Sequence, residues 1–172
     1  MKSTNVLIAA GEYPVESILG AIFGGELNRG EIELVPMWTM SSAFSLIEES
    51  ALYDPLRPAA MVANTDDDTD EEIEEGRAAC RRMLHRASFH ANWLVSFAIP
   101  DAGAWIMADP AVRDEVDRMD PAPATRRERI ERIKALAAER PIDREAIGRA
   151  FPDFRALDEF IKARVKTSEP VT

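Results

Sequence analysis

The chain has 172 residues and a mass of 19.1 kDa, and 46% of it is apolar, enough for one packed domain with a helical extension. Its 31 acidic and 21 basic residues leave a formal net charge of -10, which excludes a protein that coats nucleic acid by bulk positive charge but not one with a local basic groove. A single cysteine, Cys80, excludes an intramolecular disulfide, and with only two histidines beside it a zinc cluster is a poor fit.

The first apolar run, residues 5–10, is too short to span a membrane and lacks the form of a secretory signal, so a cytoplasmic location is expected. It reads as a buried strand ended by Gly11. Val15, Ile18, Leu19, Ile22 and Phe23 fall on one face of a helix, and Gly24-Gly25 stops it. Residues 31–37 read as a second strand, placed at a sheet edge by Pro36, which has no N–H to donate. Met40, Ala43, Phe44, Ile47 and Ala51 mark a second helix, and Tyr53, Pro55 and Pro58 bracket a loop. Residues 59–63 form a third, continuously apolar strand.

An acidic run follows, from Asp66 through Asp67 and Asp68 to Glu75. Thr69 and Glu72 have the spacing of a capping box, so a helix is expected from about Thr69, with Ile73, Cys80, Met83, Leu84 and Ala87 on its apolar stripe. Residues 93–99 are a fourth strand, ended by Pro100-Asp101. Continuous apolar strands alternating with amphipathic helices predict an α/β fold, a three-layer parallel sheet of about four strands covered on both faces. Beyond it only helices are expected: short pieces at 102–107 and 112–119, a strong one at 124–139, another at 144–149 and a last one at 152–166. The predicted division is an α/β domain over residues 1–108, a helical extension packed on it over 109–166 and a frayed tail at 167–172.

Ligands of open parallel sheets bind beyond the carboxyl ends of the strands. Those ends carry Gly11-Glu12, the run from Asn64 to Asp68, and Pro100-Asp101. Clustered carboxylates are hard oxygen ligands suited to Mg²⁺, which makes Asp66 and Asp68, with Asp67 or Glu12 as contributors, candidate metal ligands. A second meaning stays open, because acids in the first turn of a helix also complement its macrodipole.

The order of these motifs resembles the Toprim fold of topoisomerases, primases and the overcoming-lysogenization-defect nucleases. It is most similar to small bacterial Toprim-like proteins related to those nucleases. The family pattern is a strand leading to Glu-Gly, a strand leading to Asp-x-Asp, and later Pro followed by Glu-Ala-Trp-Leu-Leu-Ala-Asp. Here the segments read Ala10-Gly11, Asn64-Thr65-Asp66, and Pro100-Asp101-Ala102-Gly103-Ala104-Trp105-Ile106-Met107-Ala108-Asp109. The resemblance spans residues 5 to 110 and keeps Gly11, Asp66, Trp105 and Asp109, while Ala10, Asn64 and Gly103 stand where the family has acids. In the family the glutamate does acid/base work and the aspartates hold magnesium. Ala10 can transfer no proton, and Asn64 is a weaker, neutral ligand. Glu12, two residues on, is the candidate replacement for the catalytic acid. The resemblance therefore implies a Toprim-like module with a broken catalytic constellation, acting as an interaction or regulatory subunit in a nucleic-acid-processing or defence context. An ATPase subunit is the partner it implies, and nucleic acid remains a partner only through something other than bulk charge. The alternative is a divergent magnesium-dependent nuclease or phosphotransferase using Asp66 and Asp68.

The remaining polar residues have plain readings. Trp105 and Met107 are expected to pack under the helical extension rather than to face a partner. His85 and His90 are expected to be solvent-exposed or capping. Arg126, Arg127, Arg129 and Arg132 read as a solvated helix face balanced by Glu128, Glu131 and Glu139, with contact to an acidic partner as the other possibility. Ser41, Ser42 and Ser45 lack the context of a nucleophile elbow. A phosphorelay receiver fails for want of an acidic pair after the first strand, and Gly11 has no glycine-rich dinucleotide fingerprint around it.

Overall fold

The computed structural model describes residues 5–66, 68–87 and 92–165. Four strands, β1 (Val6–Ala10), β2 (Ile32–Pro36), β3 (Ala59–Asn64) and β4 (Trp93–Ala98), form one parallel sheet in the order β2-β1-β3-β4. β1 and β3 lie side by side at the centre, with Ala9 opposite Met61 and Ala10 opposite Val62. β2 is an edge strand, as Pro36 requires, and the Met37 N–H closes its end on the Ala10 carbonyl at 2.6 Å.

Nine helices are described: α1 (Val15–Ile22), α2 (Gly24–Asn28), α3 (Met40–Tyr53), α4 (Asp70–Ala87), α5 (Ala102–Ile106), α6 (Pro110–Asp117), α7 (Arg126–Glu139), α8 (Arg144–Ala150) and α9 (Pro152–Val165). Some helix boundaries differ from expectation. Gly24-Gly25 ends α1 but at once opens α2, and α6 starts at Pro110, because Asp109 caps it and proline suits a first helical position. The capping box at α4 forms as the spacing predicts. The Glu72 N–H donates to the Thr69 hydroxyl at 3.3 Å, and the Thr69 N–H donates to the Glu72 carboxylate at 2.8 Å.

Side chains of a strand alternate between faces, and both faces here are apolar. Leu7, Ala9, Ala59, Met61, Val95 and Phe97 pack under α3 and α4, against Ala43, Phe44, Ile47, Ile73, Cys80 and Leu84. Met83, expected on the α4 stripe, is instead 44% exposed. Val6, Ile8, Ala10, Ala60 and Val62 pack on the other face against α1 and α5 and, in the same cluster, against Ile130, Ile133, Ile147, Phe154, Leu157 and Ile161. Residues on both sides of position 108 thus share one core, and the C-terminal helices supply much of one layer. No described helix is long and apolar enough to cross a membrane. The expected tail at 167–172 lies outside the described residues.

The helical layer is tied down by buried and half-buried acids. Asp109, 2% exposed, accepts from the Ala111 and Val112 N–H groups with Oδ1 and from the Asp143 N–H with Oδ2 at 2.8 Å, so one carboxylate joins the starts of α6 and α8. Asp153, in the first turn of α9, accepts from the outer Phe97 N–H of β4 at 2.6 Å and from Arg77 of α4 at 2.8 Å. Arg144 bridges Glu26 and Asp158 and lies over the Phe23 ring. Trp105 is fully buried, edge-on to Phe154 at 5.3 Å between centroids.

Candidate functional site

In the order β2-β1-β3-β4 the chain leaves β1 in one direction for β2 and lies beside β3 in the other, so the strand order reverses at the carboxyl ends of β1 and β3. A cleft of about 280 Å³ opens there. The end of β1 gives it Gly11 and Glu12, the turn after β2 gives Met37, Trp38 and Thr39, and β3 with its following turn gives residues 61 to 66 and Asp68. The starts of α3 and α4 wall it with Met40, Ala43, Glu72, Ile73 and Gly76, and Phe97 of β4 closes the floor.

Local chemistry explains this shape. Gly11 is required because β1 and β3 approach closely at their ends: the Gly11 N–H donates to the Val62 carbonyl at 2.7 Å, and a Cβ would sit 3.1 Å from that oxygen and from Ala63 Cα. Thr39 caps α3 by accepting from the Ser42 N–H at 3.1 Å, which turns the chain sharply after Trp38 and leaves the indole 85% exposed at the mouth. Asp66 sits at φ +47°, in the left-handed region that an aspartate tolerates better than most residues. Its N–H donates to the Pro100 carbonyl at 2.7 Å, and the Asp68 N–H closes the turn on the Thr65 carbonyl at 2.9 Å.

The candidate ligands Glu12, Asp66 and Asp68 line this one cleft. Asp67 lies outside the described residues. Among the described residues no three His, Cys, Asp or Glu side chains form a group that could hold a metal ion. Arg126 brings a cation to this corner. Its guanidinium is 2.6 Å from Asp101 Oδ2 and 3.9 Å from Asp66 Oδ1. A cation in the first turn of α7 opposes the helix dipole, so the two carboxylates account for its position. The Glu72 carboxyl is held below the usual range by the Thr69 N–H and then by the Thr69 hydroxyl.

The three positions where the resemblance expects acid are occupied in specific ways. Ala10 is fully buried in the cluster beneath α1 and α5. Asn64 uses both ends of its amide: Oδ1 accepts from the Ala102 N–H at 3.1 Å and Nδ2 donates to the Tyr13 carbonyl at 3.3 Å. A Cβ on Gly103 would lie 2.9 Å from Asp101 Oδ1, which caps α5 by accepting from the Ala104 N–H. Of the remaining candidates, His85 and Arg127 are exposed, His90 lies outside the described residues, and Arg132 pairs with Glu128. Ser41, Ser42 and Ser45 are in the first two turns of α3. Sequence reasoning placed Asp101 at a strand end without giving it a role, and it missed Trp38. The signal for Trp38 was a large apolar pair, Met37-Trp38, after the proline that ends an edge strand. The capping role of Asp101 was signalled by an Asp directly before a helix, the ordinary N-cap. Compared with protein-family models, with curated proteins and with solved structures, the chain matches none.

Proposed function

We propose that the chain is a degenerate Toprim-like module that acts by binding a partner rather than by catalysis, as an interaction or regulatory subunit in a nucleic-acid-processing or defence context. The partner class implied by the resemblance is an ATPase subunit. The observation that carries this reading is the structural use of the three neutral residues. Ala10 fills a core position, Asn64 holds two segments with a donor and an acceptor together, and Gly103 leaves room for the Asp101 cap. A position given over to packing or capping does not carry proton transfer.

The competing reading is a divergent magnesium-dependent nuclease or phosphotransferase with Glu12 as the acid/base group. It has in its favour that Glu12, Asp66 and Asp68 share one cleft. Calorimetric titration of the full chain with Mg²⁺ and Mn²⁺ to millimolar concentration, with cleavage assays on single- and double-stranded DNA, separates the two. A flat titration and intact DNA are expected. Metal binding abolished by Asp66→Asn with Asp68→Asn, together with cleavage, establishes the competing reading instead.

A further inference from the structure

We infer that the strand-end cleft is a docking site for a segment of another protein that inserts one large apolar side chain flanked by lysine or arginine. This deepens the interaction-subunit reading and rests on it. Size comes first. At about 280 Å³ the cleft falls just below the ~300–1,000 Å³ of pockets that enclose a whole small ligand, so it suits a side chain better than a nucleotide. Surface character comes second. The inner wall is apolar, with Met61, Ile73 and Phe97, and the mouth carries Trp38 and Met40, 85% and 40% exposed. An exposed tryptophan beside an apolar cleft is the side chain most often found at the energetic centre of a protein interface, and flexible methionines adapt to an inserted group.

Charge selects among occupants. Glu12, Asp66, Asp68 and Glu72 stand on the rim. Among the described residues neither Glu12 nor Asp68 enters any ion pair or side-chain hydrogen bond, and Asp66 has only the distant Arg126 at 3.9 Å. A carboxylate rim repels phosphate and favours cationic flanks, and it disfavours a second copy of a chain whose net charge is -10. Lysine and arginine also lay their alkyl stems along apolar surface while their charged heads reach the rim. The other equally exposed aromatic, Tyr53, ends the same helix that Met40 begins, so it lies about 20 Å from the cleft and provides an internal control.

The test is selection of a random-peptide phage library on the full chain, followed by fluorescence-polarisation titration of labelled peptides made from the two most enriched sequences. The expected peptides share a large apolar residue next to Lys or Arg. Trp38→Ala should weaken them about tenfold or more, and Glu12→Gln with Asp68→Asn should weaken them severalfold and flatten their salt dependence, while Tyr53→Ala leaves them unchanged. All substituted residues are exposed, so the variants fold. An empty selection, a consensus without basic residues, or binding indifferent to Trp38→Ala overturns the docking site. Such a failure together with a flat metal titration leaves the non-catalytic reading standing, whereas metal binding with DNA cleavage removes that reading whatever the peptides do.

Discussion

At Asn64 one amide makes two bonds that a carboxylate cannot make together, accepting from the Ala102 N–H and donating to the Tyr13 carbonyl. Asn64→Asp supplies an acid where the resemblance expects one, but it sets a carboxylate against a carbonyl and loses a donor. Urea denaturation at neutral pH should show a loss of about 1–3 kcal/mol, with no gain of magnesium affinity. The introduced carboxyl has its folded-state pKa raised by the facing carbonyl. The loss should therefore shrink as pH falls through that pKa and the proton restores a donor. A variant as stable as the parent that binds Mg²⁺ would contradict this account. The absence of acid at positions 10, 64 and 103 is legible in the sequence. The use of the replacements is not, because the partners of Asn64 lie 51 and 38 residues away. Trp38 escaped notice for a related reason. Its exposure depends on how sharply Thr39 turns the chain, and sequence periodicity carries no such information.

Among the elements, β4 shows how an edge is closed. Its outer Phe97 N–H is bound by Asp153 from the first turn of α9, Arg77 of α4 joins the same carboxylate, and the Ser96 hydroxyl donates to the Asp153 carbonyl at 3.0 Å. The opposite edge, β2, ends in Pro36 and carries an ion pair between Glu33 and Arg57. Charges, prolines and covering helices are the ordinary means by which sheet edges avoid pairing with other chains. Asp153→Ala leaves a strand N–H without its acceptor and removes one partner of a half-buried arginine. The expected loss is about 2–4 kcal/mol in denaturant, with light scattering rising on mild heating as the freed edge associates. Unchanged stability would mean that water serves the edge equally well. The strand and the helix were both legible, from a continuous apolar run and from a 3.6-residue period. The bond between them was not, because an acid in a first helical turn reads equally well as a response to the helix dipole.

For the whole molecule, the central question is whether residues 109–165 are an attachment or a layer. Ile130, Ile133, Ile147, Phe154, Leu157 and Ile161 belong to the same cluster as β1 and α1, and burial of side chains of this size is worth about 1.5–3 kcal/mol each. A chain ended at residue 108 should therefore not fold. Cys80 supplies the readout: it is fully buried, and burial pushes its thiol pKa up, so it should react with a thiol reagent only on unfolding. The full chain should label slowly and the shortened chain at the rate of the chain in denaturant. Slow labelling of the shortened chain would make the extension dispensable. The sequence placed the boundary where strands give way to helices, since periodicity identifies elements but not the face each one covers. The position of Asp153 also sets an order of events in time. The outer Phe97 N–H of β4 waits for a residue synthesised 56 positions later, so this edge cannot be sealed until most of the chain has been made. Until α9 emerges, the nascent chain carries the apolar segment of β4 uncovered, and that interval is when it is most exposed to misassociation.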